Sequence, residues 1–147
     1  MNNRLIVEKS PNSKVSEYIK KLRTNIQNKI QKEDKIILIT SSITKEGKSF
    51  ITSNLAVSFA KIGYKVLIID SNIKNPVQNK IFNISNDIGL SKLLDDIKLL
   101  KKSIKETNIE NVSVLTSGIE INNFNEKLTT DKFKNLIETL KNGYDLI

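Results

Sequence analysis

The residues best suited to chemistry lie in one stretch, Ser42-Ile43-Thr44-Lys45-Glu46-Gly47-Lys48-Ser49. The pattern G-x-x-x-x-G-K-[ST] makes a loop that wraps a phosphate; this stretch keeps its Gly-Lys-Ser end and has Ser42 at the leading position. Gly47 lets the backbone approach an anion closely. The contact candidates are Thr44, Lys45, Glu46, Gly47, Lys48, Ser49 and Phe50. Amide N–H groups of residues 45–49 would converge where a helix starts and its dipole favours negative charge. Lys48 would reach the β- and γ-phosphates of a nucleotide, and the Ser49 hydroxyl would ligate Mg²⁺. The second candidate is Asp70, which closes Lys65-Val66-Leu67-Ile68-Ile69-Asp70. At the carboxyl end of a strand, where open α/β sheets bind ligands, a carboxylate can hold Mg²⁺ through water or accept a hydroxyl proton. A strand-end Asp also caps turns, and Asp70-Ser71-Asn72 allows that reading as well.

Positioning these residues takes a strand, a loop, a helix and a second strand. Residues 35–40 form a continuous β-branched run, which suits a strand buried on both faces of a parallel sheet. Ile51, Leu55, Phe59 and Ile62 then recur at helical spacing, and Gly63 ends that helix. Residues 65–70 give the second strand, so the unit is βαβ with a right-handed crossover. Upstream, Val15, Ile19, Leu22, Ile26 and Ile30 mark an amphipathic helix that starts near Ser13. Downstream, Leu90, Leu93, Leu94, Ile97 and Leu100 suggest short helices, residues 112–116 a third strand, and Phe133, Leu136, Ile137 and Leu140 a further helix. Tyr144-Asp145-Leu146-Ile147 opens a fourth strand and reads as a strand cut midway. The fold class is α/β: a P-loop NTPase-like parallel sheet flanked by helices and incomplete at its C-terminal end. The division is residues 1–34 for the N-terminal helix and 35–147 for the first part of a P-loop domain.

Composition narrows the chemistry. The 147 residues hold no Cys and no His. That excludes disulfides, thiol nucleophiles, the usual zinc sites and imidazole acid–base steps. With 38% hydrophobic residues the chain can build a core, yet no apolar run approaches the ~18 residues of a membrane span. The N-terminus lacks the apolar stretch of a signal peptide, so a cytoplasmic protein is expected. The net charge is +8, but arginines occur only at positions 4 and 23 and the lysines are scattered. The densest cluster, Lys98, Lys101, Lys102 and Lys105, is diluted by Asp95, Asp96 and Glu106. This reads as a solvated surface, and no nucleic-acid partner is expected.

The sequence resembles the bacterial tyrosine kinases of capsule and exopolysaccharide synthesis, which are deviant-Walker P-loop ATPases. The resemblance runs through Leu38-Ile39-Thr40-Ser41-Ser42, Gly47-Lys48-Ser49, Asn54-Leu55-Ala56 and residues 60–70. It continues in Asn75-Pro76, Lys80-Ile81-Phe82, Gly89-Leu90-Ser91-Lys92-Leu93-Leu94 and Val114-Leu115-Thr116-Ser117-Gly118. Glu17, Lys20 and Arg23 fall on the family's Glu-x-x-Arg-x-x-Arg pattern. The resemblance implies transfer of the ATP γ-phosphoryl group to protein tyrosines, with Lys48 and Asp70 catalytic and Mg²⁺ on Ser49 and Asp70. It also implies a ring of subunits touching through Glu17, Lys20 and Arg23. A membrane-embedded activator, the chain-length regulator, would bring the kinase to the membrane. Four departures stand out: Asn72 replaces the second Asp of the second Walker motif, Lys74 replaces its Arg, Thr44-Lys45 replaces Pro-Gly in the loop, and Lys20 replaces the middle Arg of the contact pattern. With the Walker B carboxylate not reached by Ile147, little phosphotransfer is expected of residues 1–147. The other readings are a non-catalytic nucleotide-binding scaffold and a partition-type ATPase like those of chromosome and septum positioning.

Overall fold

The computed structural model describes residues 4–31, 33 and 35–147, so the division set at residue 34 and the N-terminal Met1 to Asn3 lie outside the described residues. Three ladder-forming strands, β1 (Val66–Ile69), β2 (Ile104–Glu106) and β3 (Val112–Leu115), form a sheet in the order β1-β3-β2. β1 and β3 run parallel with Val66 opposite Val112 and Ile69 opposite Leu115. Side chains alternate across a strand, and both faces of this sheet are covered. Val66, Ile68, Val112 and Val114 join one buried cluster, whereas Leu67 and Leu115 join another. That is why β1 reads as a continuous apolar run rather than an alternating one, whereas β3 carries one polar residue, the half-buried Ser113.

On the first face lie α1 (Ile6–Lys9), α2 (Lys14–Gln27), α3 (Lys48–Ala60) and α4 (Gln78–Phe82), which contribute Val7, Ile19, Val57, Phe59 and Phe82 to the core. On the second lie α5 (Leu90–Leu93), α7 (Phe124–Leu128) and α8 (Asp131–Lys141), with Leu90, Leu93, Phe124, Leu136 and Leu140 buried. Burial of each such side chain contributes ~1.5–3 kcal/mol. Between α5 and β2 the chain forms a 3₁₀ turn, Ile97–Leu99, and α6 (Leu100–Ser103).

Helix α3 is buried on every side from Ser53 to Ala60 rather than along one stripe, and Ile62 lies past its end, 43% exposed. It closes in a Schellman motif: Tyr64 N–H donates to Phe59 O, Gly63 N–H donates to Ala60 O at 2.9 Å, and Gly63 takes φ +92°. Helix α2 starts at Ser13, whose hydroxyl accepts the Ser16 amide. Its buried side is Ser16 and Ile19, while Val15, Tyr18 and Leu22 face solvent. The Ser16 hydroxyl donates to Ile6 O and Ser10 O, which pulls the α1–α2 corner inward. Asn54, fully buried on α3, accepts the Val7 amide and donates to Arg4 O and Phe50 O. The N-terminal helices therefore share the core of the sheet.

In the sheet, two outcomes differ from the sequence reading. Residues 35–40 are extended but form no strand ladder; only their first part pairs, with Ile147 N–H donating to Lys35 O at 2.7 Å and Ile37 N–H to Ile147 O at 2.8 Å. The fourth strand is an isolated parallel bridge between Val66 and Leu146. Residues 145–147 lie between segment 35–37 and β1, and beyond them residues 36–39, β1, Phe133 and Ile137 line an apolar cavity of about 410 Å³. The second outcome is β2, which pairs antiparallel with β3 inside a lysine-rich stretch that carries no apolar run. It is short and charged, as edge strands are.

Candidate functional site

The loop at residues 41–47 leaves segment 35–40 and enters α3 through Gly47, the helix N-cap, at φ +88°. Lys45 is also left-handed, at φ +65°. Nothing lies within 4 Å of where a Gly47 Cβ would be, so its backbone conformation, not crowding within the chain, demands glycine. Residues 42–47, Thr44 and Glu46 among them, are exposed, and Phe50 is half-buried. Glu46 Oε2 accepts the Ile43 amide at 3.3 Å and tightens the turn. The Lys48 ammonium folds back over the loop and donates to Ser41 Oγ and to Ile43 O. Both acceptors are neutral, and among the described residues no carboxylate pairs with it. Its charge is thus available to an anion.

Asp70 follows β1 and is 8% exposed. Its amide donates to Leu115 O, which ties it to the end of β3. Its carboxylate collects three backbone amides: Asn72 on Oδ1 at 3.0 Å, and Val77 and Gln78 on Oδ2 at 3.2 and 3.1 Å. These contacts are those of the turn-capping reading. Asn72 Oδ1 accepts the Asn75 amide, so that side chain serves the turn, and Lys74 is exposed. A carboxylate offers about four acceptor positions, so Asp70 keeps capacity for a metal-bound water.

The donor set fits a hard cation. Ser49 and Asp70 supply only oxygens, and among the described residues no group of three or more His, Cys, Asp or Glu side chains is placed to hold a metal. Mg²⁺ binds in this way, through one or two protein oxygens with phosphate and water completing its shell. Gln78 links the two segments: its backbone N–H donates to Asp70 Oδ2 at 3.1 Å and its side-chain Nε2 donates to the Ser49 backbone carbonyl at 3.2 Å. Sequence reasoning missed Gln78 and Ser41. Gln78 reaches across 29 residues and Ser41 follows an apolar run without a pattern of its own, so neither carries a local signal.

The other sequence-derived residues lie apart from this site. Glu17 is exposed on α2. Lys20 donates to Pro11 O at 2.7 Å, and Arg23 donates to Ser58 O at 3.1 Å, so both are used within the chain. Asp87, on the loop before α5, has its carboxyl held below the usual range, first by a hydrogen bond from Ser85, then by its own amide and the charge of Lys105. Among the described residues no helix is long and apolar enough to cross a membrane.

Residues 37–147 match the CobQ/CobB/MinD/ParA nucleotide binding domain. Tyrosine-protein kinase YwqD of Bacillus subtilis is 33% identical over 148 residues, covering 100% of this chain and 62% of that protein. Among solved structures, the chimerical protein CapA2B2 superposes with a TM-score of 0.92 at 41% identity, over 98% of this chain and 64% of that one. The septum site-determining protein MinD of Pyrococcus horikoshii, complexed with Mg-ADP, gives 0.64 at 30% identity, over 77% of this chain and 46% of that one. The chain thus spans less than two thirds of these relatives. With the family match running over residues 37–147, the chain belongs to the CobQ/CobB/MinD/ParA nucleotide-binding domain family.

Proposed function

We propose that this chain binds ATP with Mg²⁺ as the nucleotide-binding part of a protein-tyrosine kinase of the capsule and exopolysaccharide type. The observation that carries the reading is the Lys48 ammonium, held by two neutral oxygens at the mouth of α3 with no carboxylate partner among the described residues. In this reading Lys48 leaves Ser41 and Ile43 for the nucleotide phosphates, and the amides of residues 44–50 surround them. Ser49 and Asp70 hold Mg²⁺, which when bound neutralises charge on the phosphoryl oxygens. Asp70 also accepts the proton of the attacking tyrosine hydroxyl.

Support comes from the relative named a tyrosine-protein kinase and from the superposition on CapA2B2. The reading as a partition-type ATPase has weaker support, since the MinD superposition is poorer and shorter. The kinase proposal extends to a ring built through Glu17, Lys20 and Arg23 and to a membrane-embedded activator that recruits the kinase to the cytoplasmic face. Asn72 lacks the charge of a second carboxylate, which weakens catalysis and leaves binding intact; this favours a non-catalytic scaffold as the second reading. The test is calorimetric titration of ADP and ATP with Mg²⁺, followed by an assay for phosphotyrosine. Saturable binding lost in Lys48→Met supports the nucleotide site. Binding indifferent to Lys48 dismisses it, and phosphotyrosine formation separates kinase from scaffold.

A further inference from the structure

Gln78 opens α4 and is 4% exposed. Its two ends reach the two residues proposed for the cation. The backbone N–H donates to Asp70 Oδ2 at 3.1 Å, and the side-chain Nε2 donates to Ser49 O at 3.2 Å. One residue therefore bridges the start of the phosphate-loop helix and the carboxylate at the end of β1. The Ser49 carbonyl also decides which way the side-chain amide faces, because only its NH₂ group can donate there. Gln78 Oε1 is left buried without a hydrogen-bond partner. Buried acceptors are nearly always satisfied, so one that is not calls for a donor that arrives from outside. A hydrated divalent cation brings such donors, since Mg²⁺ keeps several of its waters on binding.

We infer that Gln78 is a positioning residue for the divalent-cation site: it sets the separation of Ser49 and Asp70, and its Oε1 accepts from the hydrated cation. The inference rests on the proposal that Ser49 and Asp70 hold the cation. Gln78 does so without touching the nucleotide, so its removal acts on the cation's contribution to binding and not on the phosphate loop.

The experiment is calorimetric titration of ADP into the whole chain, once with Mg²⁺ and once with EDTA, for wild type, Gln78→Met and Gln78→Leu. Methionine keeps the unbranched length and the volume, so the fold is preserved, and a thermal melt checks this. Wild type is expected to bind ADP more tightly with Mg²⁺. In Gln78→Met that gain falls by about 10-fold, the lower end for loss of an outer-shell metal partner, while affinity in EDTA holds. An equal Mg²⁺ gain in wild type and variant overturns the inference, and so does a parallel loss in both media, which marks a purely structural residue. Loss of the cooperative melt in both variants has the same meaning. If wild type itself shows no Mg²⁺ gain, the placement of the cation on Ser49 and Asp70 fails first, and the inference falls with it.

Discussion

At the scale of single residues, the site is a set of polar groups whose partners lie within the chain. Lys48 is half-buried and bonded only to neutral oxygens. Its replacement by Met is expected to leave the melt unchanged. It should weaken ADP binding by about 2 kcal/mol, roughly 30-fold, the worth of a hydrogen bond to a charged group. Calorimetry reads both the affinity and the control. Asp70 behaves differently, because three backbone amides converge on its carboxylate. In Asp70→Asn an NH₂ group must face one of those amides, and charge-assisted bonds become neutral ones. Urea denaturation without nucleotide is expected to show a loss of about 2 kcal/mol. An unchanged urea midpoint would mean that residues 71–78 do not depend on this carboxylate. Of these two residues Lys48 was singled out by a local signal, Gly-Lys-Ser after an apolar run. For Asp70 the sequence offered two roles, of which its contacts within the chain show the turn cap.

At the scale of elements, three backbone positions separate conformational from steric requirements. Lys45 is left-handed at φ +65°, where a non-glycine residue is strained by roughly 1–2 kcal/mol. Lys45→Gly relieves that strain but adds about 0.5–1 kcal/mol of unfolded-state entropy, so a net gain of about 0.5 kcal/mol is expected from the urea midpoint. Gly63 needs its φ of +92° but has open space around it, and Gly63→Ala should cost about 1 kcal/mol. Gly89 is the reverse case. Its φ of −151° suits any residue, yet a Cβ there would lie 2.3 Å from both Gly118 N and Thr116 O. Asn86 clamps the same place by bonding both the amide and the carbonyl of Gly118. Gly89→Ala is expected to cost about 3 kcal/mol or more, because backbone on both sides must shift. Equal effects at Gly63 and Gly89 in the same denaturation series would contradict this ranking. The Gly63 turn was readable as punctuation after a helical run. The Gly89–Gly118 contact was not, because its partners are 29 residues apart.

At the scale of the whole molecule, the phosphate-loop side carries apolar surface. Leu38 is 84% exposed and Ile36 45%, beside the apolar cavity between residues 36–39 and β1. Surface of this kind binds hydrophobic dyes. Leu38→Lys is expected to lower dye fluorescence in the native state and to change stability by no more than about 0.5 kcal/mol, as exposed positions do. Dye binding insensitive to Leu38 would place the apolar surface elsewhere. The +8 charge, by contrast, is dispersed, and several lysines are tied locally: Lys61 to Glu8, Lys127 to Asp95, Lys141 to Glu138. Exposed pairs of this kind contribute little to stability.

By itself the sequence determined the kind of protein this is. The phosphate-loop pattern ahead of a helix, that helix, the strand after it and the acidic residue closing that strand are local patterns of period and punctuation, and each was legible without a fold; the strand expected at residues 35–40 did not form a ladder. The buried character of β1 was legible too, because a strand covered on both faces needs apolar residues at every position. The tertiary structure alone decided the rest. It left residues 38–40 without a ladder, because pairing depends on a neighbouring backbone rather than on β-branched side chains. It made an edge strand of Ile104–Glu106, whose partner supplies what its composition does not. It turned the stripe predicted for α2 toward Ser16 and Ile19, because a hydroxyl can be buried once Ile6 O and Ser10 O accept its proton. It also joined Ser49 to Asp70 through Gln78. Hydrogen bonds between distant segments have no period and no punctuation, so only their meeting in space reveals them.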